Sequence, residues 1–215
     1  DGEYVVKAEV PAIDGAVPGK VTGMGVYAKD KKVTLKATAN KDYVFAGWYE
    51  GGHAGRVTLP DGEPLSKAAS YVIDKMPEED VSLTAAFVTS DADKTSIAAS
   101  VDGLALEPWV SKDVTQARAT NVTAGVYLEW PVAASALSAT TVKVSGLPSG
   151  LKFTAKDIYK KGSKTEVDVP ANTIYGTPKT ASKTDKNGKV TPSKVKITVT
   201  TAGKAKQEYV LNVTV

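Results

Sequence analysis

Apolar and polar residues alternate with a period of two along most of the chain. Val33, Leu35 and Ala37 fall on one side of a stretch whose other side carries Thr34, Lys36 and Thr38. Successive strand residues point to opposite faces, so this pattern predicts a half-buried strand. The same rhythm returns at Val81, Leu83, Ala85 and Phe87, at Val142 and Val144, at Val195, Ile197 and Val199, and at Tyr209, Leu211, Val213 and Val215. Turn-forming groups separate the runs: Asp14-Gly15, Asp61-Gly62, Pro148-Ser149-Gly150 and Asn187-Gly188. Alternation alone places further strands around residues 97–101 and 106–110. Helical periodicity is scarce; residues 64–70 are the best helical candidate and read equally well as a loop. The expectation is a mainly β protein.

Length and charge divide the chain. At 215 residues it exceeds the usual domain size of roughly 100 to 150. Ten basic and thirteen acidic residues precede position 91, against seventeen and eleven after it, so net charge changes from −3 to +6. The polar run at 89–95 follows a predicted strand at that point, and a boundary there gives domains 1–90 and 91–215. So short a run is too short for a floppy tether.

Four ordered blocks carry a resemblance in the first half. They are Gly19-Lys20-Val21-Thr22-Gly23-Met24-Gly25-Val26-Tyr27, the run Lys32 through Ala39, Asp42-Tyr43-Val44-Phe45-Ala46-Gly47-Trp48-Tyr49, and the stretch Tyr71 through Phe87. Residues 4–88 thereby resemble the divergent internalin B-type B repeat of bacterial surface proteins. Phe45 and Trp48 supply large apolar area to a small core, and Trp48, inside an alternating apolar run, reads as a core residue in preference to a sugar-stacking platform. From about residue 94 onward, Gly146-Leu147-Pro148-Ser149-Gly150-Leu151 and Ile174-Tyr175-Gly176-Thr177-Pro178 are similar to the immunoglobulin-like, cadherin-like domains of bacterial surface proteins. The resemblance implies an immunoglobulin-like β-sandwich after a small antiparallel β repeat module. Residues 155–170 are longer than the family's usual hairpin, and 182–192 form a lysine-rich insertion.

Candidate chemistry is sparse. Cysteine is absent, which removes disulfides, thiolate metal sites and cysteine nucleophiles. His53 is the only histidine and stands in a glycine-rich turn, where a solvated loop residue is the better reading than a catalytic base. Glu78-Glu79-Asp80 reads as a solvated turn before a strand. Asp91 and Asp93 are weak calcium candidates, because alternating carboxylates can combine with backbone oxygens around a hard cation. Asp185-Lys186-Asn187-Gly188 reads better as a hairpin turn than as a cation loop. An internal Lys–Asn crosslink would draw on Asn172 and Asn212, but no motif supports one. Nucleotide-binding, nucleophile-elbow and zinc-protease motifs are lacking, so neither enzymatic activity nor a cofactor is expected.

The lysines from Lys179 through Lys206, interrupted only by the acid Asp185, would suit an anionic polymer. Nucleic acid is disfavoured, since arginine, the usual bidentate phosphate and base ligand, occurs only at Arg56 and Arg118. No stretch reaches the roughly 20 apolar residues of a membrane span, so membrane insertion is not expected. A chain opening on Asp1 reads as an excised or processed segment. The combined expectation is a monomeric, extracellular, non-catalytic module pair of a bacterial cell-surface protein, serving as spacer or adhesion segment. The alternative is a glycan- or host-protein-binding module presenting Trp109, Trp130, Tyr159 and Tyr175, since exposed aromatics make good binding anchors.

Overall fold

The computed structural model describes residues 2–52, 59–60, 62–109 and 117–215. The chain forms two compact units. The first comprises Asp1–Ser96 with the short segments Ala136–Ala139 and Thr201–Ala205, and the second comprises Ile97–Ser135, Thr140–Thr200 and Lys206–Val215.

The first unit holds β1 (Glu3–Glu9), β2 (Gly19–Thr22), β3 (Gly25–Ala28), β4 (Val33–Ala39), β5 (Tyr43–Glu50), β6 (Ser70–Ile73), β7 (Val81–Thr89) and the helix α1 (Ser90–Thr95). One sheet runs β3-β1-β7-β5 and the other β2-β4-β6. Pairing is antiparallel except between β1 and β7, which run parallel. Five intervening strands supply the long crossover that a parallel pair requires.

Burial follows the alternation closely in β4, where Val33, Leu35 and Ala37 enter the core and Thr34, Lys36 and Thr38 stay exposed. It fails in β7. Leu83, Ala85 and Phe87 face the main core, but Ala86 and Val88 on the other side are buried too. Val88 joins Val44 and Ala46 in a second cluster, against which Leu59 and Leu137 pack. A strand covered on both faces loses the polar half of its pattern.

Phe45 and Trp48, three positions apart, would face opposite ways in a regular strand. A bulge between Phe45 and Gly47 resets the phase. Both rings therefore meet in one core, with centroids 5.2 Å apart. Trp48 is fully buried and its indole nitrogen donates to the Ala68 carbonyl at 2.9 Å. Residues 64–70 form no helix. Leu65 and Ser66 instead bond the Trp48 backbone.

Helix formation occurs at 90–95, inside the polar run read from the sequence as a connection. The Thr89 side chain accepts from the Ala92 amide as N-cap, and Asp91 and Asp93 place negative charge in the first turn. Asp14-Gly15 turns as expected, with Ile13 and Ala16 exchanging both backbone bonds at 2.9 Å.

The second unit contains β8 (Ala98–Val101), β9 (Leu104–Ala105), β10 (Arg118–Asn121), β11 (Leu128–Ser135), β12 (Thr140–Ser145), β13 (Leu151–Thr154) and β14 (Ile158–Tyr159). It continues with β15 (Val167–Val169), β16 (Thr173–Gly176), β17 (Lys183–Thr184), β18 (Val190–Thr191), β19 (Ser193–Thr201) and β20 (Lys206–Thr214). Two sheets, β10-β20-β19-β12 and β13-β16-β11-β8-β9, make a β-sandwich. Val195, Ile197, Val199, Tyr209, Leu211 and Val213 from one sheet and Val132, Leu151 and Ile174 from the other form its core.

Both sequence insertions become hairpins. β14 pairs with β15, and β17 with β18. In the latter, Asp185 Oδ1 accepts from the Asn187 and Lys189 amides at 2.8 and 2.9 Å, which fixes the expected turn. The predicted strand at 106–110 is replaced by the short β9, an inward-facing Leu106 and a single bridge from Pro108 to Tyr209; Val110 lies outside the described residues.

Candidate functional site

Cross-strand register decides which exposed side chains of the second unit become neighbours. In the sheet β13-β16-β11, Phe153, Ile174 and Trp130 stand side by side in one row. Ile174 is fully buried, and Phe153 and Trp130 pack against the core. Side chains one position away must point outward. That outward row is Lys152, Tyr175 and Glu129, again in direct register. Facing residues on adjacent strands have Cβ atoms about 4.5–5.5 Å apart, so Tyr175 is within reach of both Lys152 and Glu129.

Tyr127 extends the row. It sits two residues before Glu129, is 54% exposed, and its hydroxyl donates to Glu129 Oε1 at 2.8 Å. The Gly125 amide donates to the Pro178 carbonyl at 2.8 Å, tying the approach to β11 against the chain leaving β16. Asp168, on the β14–β15 hairpin, acts on the same phenol through its charge. Tyr127, Glu129, Lys152 and Tyr175 thus form a mixed aromatic and charged face that feels the charge of Asp168.

The hydrogen bond to Glu129 is the main reason the Tyr127 phenol is pushed up to about 12, with burial and the charges of Glu129, Asp168 and Tyr175 adding to it. Folding therefore favours the protonated phenol. Its contribution to stability is complete below the ordinary tyrosine value of 10.0 and is lost as pH rises towards about 12. An ultraviolet tyrosinate titration, taken as the difference between the protein and its Tyr127→Phe variant, should show this late ionisation. Glu129→Ala should return it towards the ordinary value.

The other residues singled out in the sequence are dispersed. Trp130 faces inward, opposite to its neighbour Glu129. Trp109 is half-buried and its backbone amide donates to the Glu208 carbonyl at 2.7 Å. Tyr159 is exposed on β14, opposite Val167. Only Tyr175 belongs to the outward row. Tyr127 was missed although its partner Glu129 is two positions away; what the sequence hid is the row of Tyr175 and Lys152 that register sets beside Glu129.

In the first unit, Asp91 and Asp93 lie two positions apart on α1 and do not share a helix face. Asp91 is exposed, whereas Asp93 is fully buried and accepts from the Ser138 amide and hydroxyl at 2.8 and 2.9 Å. Among the described residues no group of three or more potential metal-ligating side chains occurs. The acidic run before β7 has structural partners: Glu78 pairs with Lys29, and Asp80 Oδ1 accepts from the Val5 amide at 2.7 Å. His53 lies outside the described residues. Asn172 sits in the turn entering β16, and Asn212 stands opposite the exposed Lys194.

The comparison with known families adds to the first unit. Residues 12–91 match the Divergent InlB B-repeat domain. The repeat, so bounded, contains all four sequence blocks and the strands β2 to β7, while β1 precedes the matched residues although it pairs with both β3 and β7. The match covers less than half of the chain, and the repeat it identifies is associated with bacterial surface proteins. No curated protein matches the chain. No helix among the described residues is long and apolar enough to cross a membrane.

Proposed function

We propose that the chain is a non-catalytic pair of extracellular modules, the B-type repeat and an immunoglobulin-like sandwich, that serves a bacterial surface protein as a spacer. The observation that carries this reading is the repeat match over residues 12–91. Two properties support it. Each unit has its own apolar core, and the carboxylates of the first unit with the best prospects for chemistry are engaged in holding backbone, as Asp80 does for β1 and Asp93 for the Ser138 loop.

A spacer acts through length and stability, so its surface sequence can change without loss of role. The test is a surface-displayed protein in which the pair separates an epitope tag from the cell envelope. Antibody access to the tag should fall when the pair is deleted. It should return in full when an unrelated β-module pair of equal length is inserted. Unchanged access on deletion, with equal amounts of protein displayed, would overturn the spacer reading.

A further inference from the structure

Beyond a spacing role, the second unit has an exposed face whose composition specifies a ligand class. We propose that the outer face of β11, β16 and β13, built from Tyr127, Glu129, Tyr175 and Lys152 with Asp168 beside them, is a binding platform for a neutral linear saccharide.

A sugar presents apolar C–H faces and hydroxyls that both donate and accept. Its binding surface therefore needs exposed ring area next to acceptors and donors. Tyr127 and Tyr175 supply the rings, Glu129 and Asp168 the acceptors, and Lys152 the donor. Across three strands spaced about 4.8 Å apart the row is on the order of 10 Å wide, comparable with a short oligosaccharide lying flat. The bond from Tyr127 to Glu129 holds that ring in place before a ligand arrives, which reduces the ordering cost of binding. It occupies one Glu129 oxygen and leaves the other free as an acceptor.

Charge selects among occupants. Within the register row Glu129 offsets Lys152, so the row has no net charge with which to hold a sulfated, phosphorylated or uronate chain, although the half of the chain around it carries net +6. A protein partner fits poorly, because the buried centres of protein interfaces are depleted of charged residues. Here Glu129 and Lys152 flank Tyr175 at the centre of the row.

The experiment uses the full chain and an immobilised array of neutral hexose and N-acetylhexosamine oligomers, with sulfated oligomers and oligolysine alongside. Retention on at least one neutral series is expected. Tyr127→Ala and Tyr175→Ala should each weaken it by about tenfold or more, the effect of losing one well-placed aromatic contact. Thermal melting should shift by no more than the loss of the surface bond between Tyr127 and Glu129. Glu129→Ala, at an exposed position, should also weaken retention and serves should an aromatic variant melt early. Lys183→Ala, on the separate β17–β18 hairpin, should leave it intact.

Failure to retain any neutral oligomer overturns the proposal. So does retention that survives the tyrosine and glutamate changes, or stronger capture of oligolysine, which would identify a basic peptide as the occupant. The tag-access assay reads display alone, so failure of the saccharide platform and failure of the spacer reading are separable.

Discussion

Trp48→Ala is expected to lower the stability of the first unit by about 3–5 kcal/mol, the range for deleting a fully buried large aromatic side chain. The indole is fully buried in a core shared with Phe45, whose ring lies 5.2 Å away, and near Tyr71 at 5.9 Å. Small cores have few other residues to close such a void. Trp48→Phe separates the two parts of the effect. It keeps most of the ring packing but leaves the Ala68 carbonyl without its indole donor, a loss of about 1–3 kcal/mol if no water replaces it. Hydrogen exchange of the β5 and β7 amides would read both variants. Near-native protection in Trp48→Ala would show that this core does not depend on the indole.

Gly150→Ala should destabilise the second unit by about 2–4 kcal/mol, combining left-handed backbone strain with overpacking. Gly150 has φ +94, and a Cβ placed there would lie 2.0 Å from the Thr177 carbonyl oxygen. Across the same contact, a Cβ on Gly176 would lie 2.3 Å from the Gly150 oxygen, so neither backbone can withdraw easily. Gly162→Ala is the control. Its φ is also positive, at +84, but nothing stands within 4 Å of the added methyl. Only the conformational cost of about 1–2 kcal/mol should remain there. Equal losses in chemical denaturation of the two variants would contradict a steric role for Gly150.

These positions also show how legibility varied along the chain. The inward set Val195, Ile197 and Val199 could be read directly, because a strand with one face covered keeps its period of two. Hairpin turns at Asp14-Gly15 and Asp185-Lys186-Asn187-Gly188 were equally local, since a few backbone angles and short-range bonds make them. The helix at 90–95 had a local signal too, in the Thr89 cap and the acids of its first turn, but at six residues it was too short to show periodicity.

Elsewhere the deciding partner was distant. The second face of β7 was hidden until Val44, Ala46 and Leu137 covered it. The bulge that brings Phe45 and Trp48 together is a property of β5 against β7 rather than of β5 alone.

By itself, the sequence determined that the chain is mainly β, which side chains of the regularly alternating strands β4, β12, β19 and β20 turn inward, where several tight turns fall, and that the first half resembles the B-type repeat. Those properties depend on residues within a few positions of one another, or on an ordered motif. Tertiary structure alone decided that Glu129, Tyr175 and Lys152 share one outward row, because strand register joins positions far apart in the chain and a shift of one residue would send each outward side chain into the core.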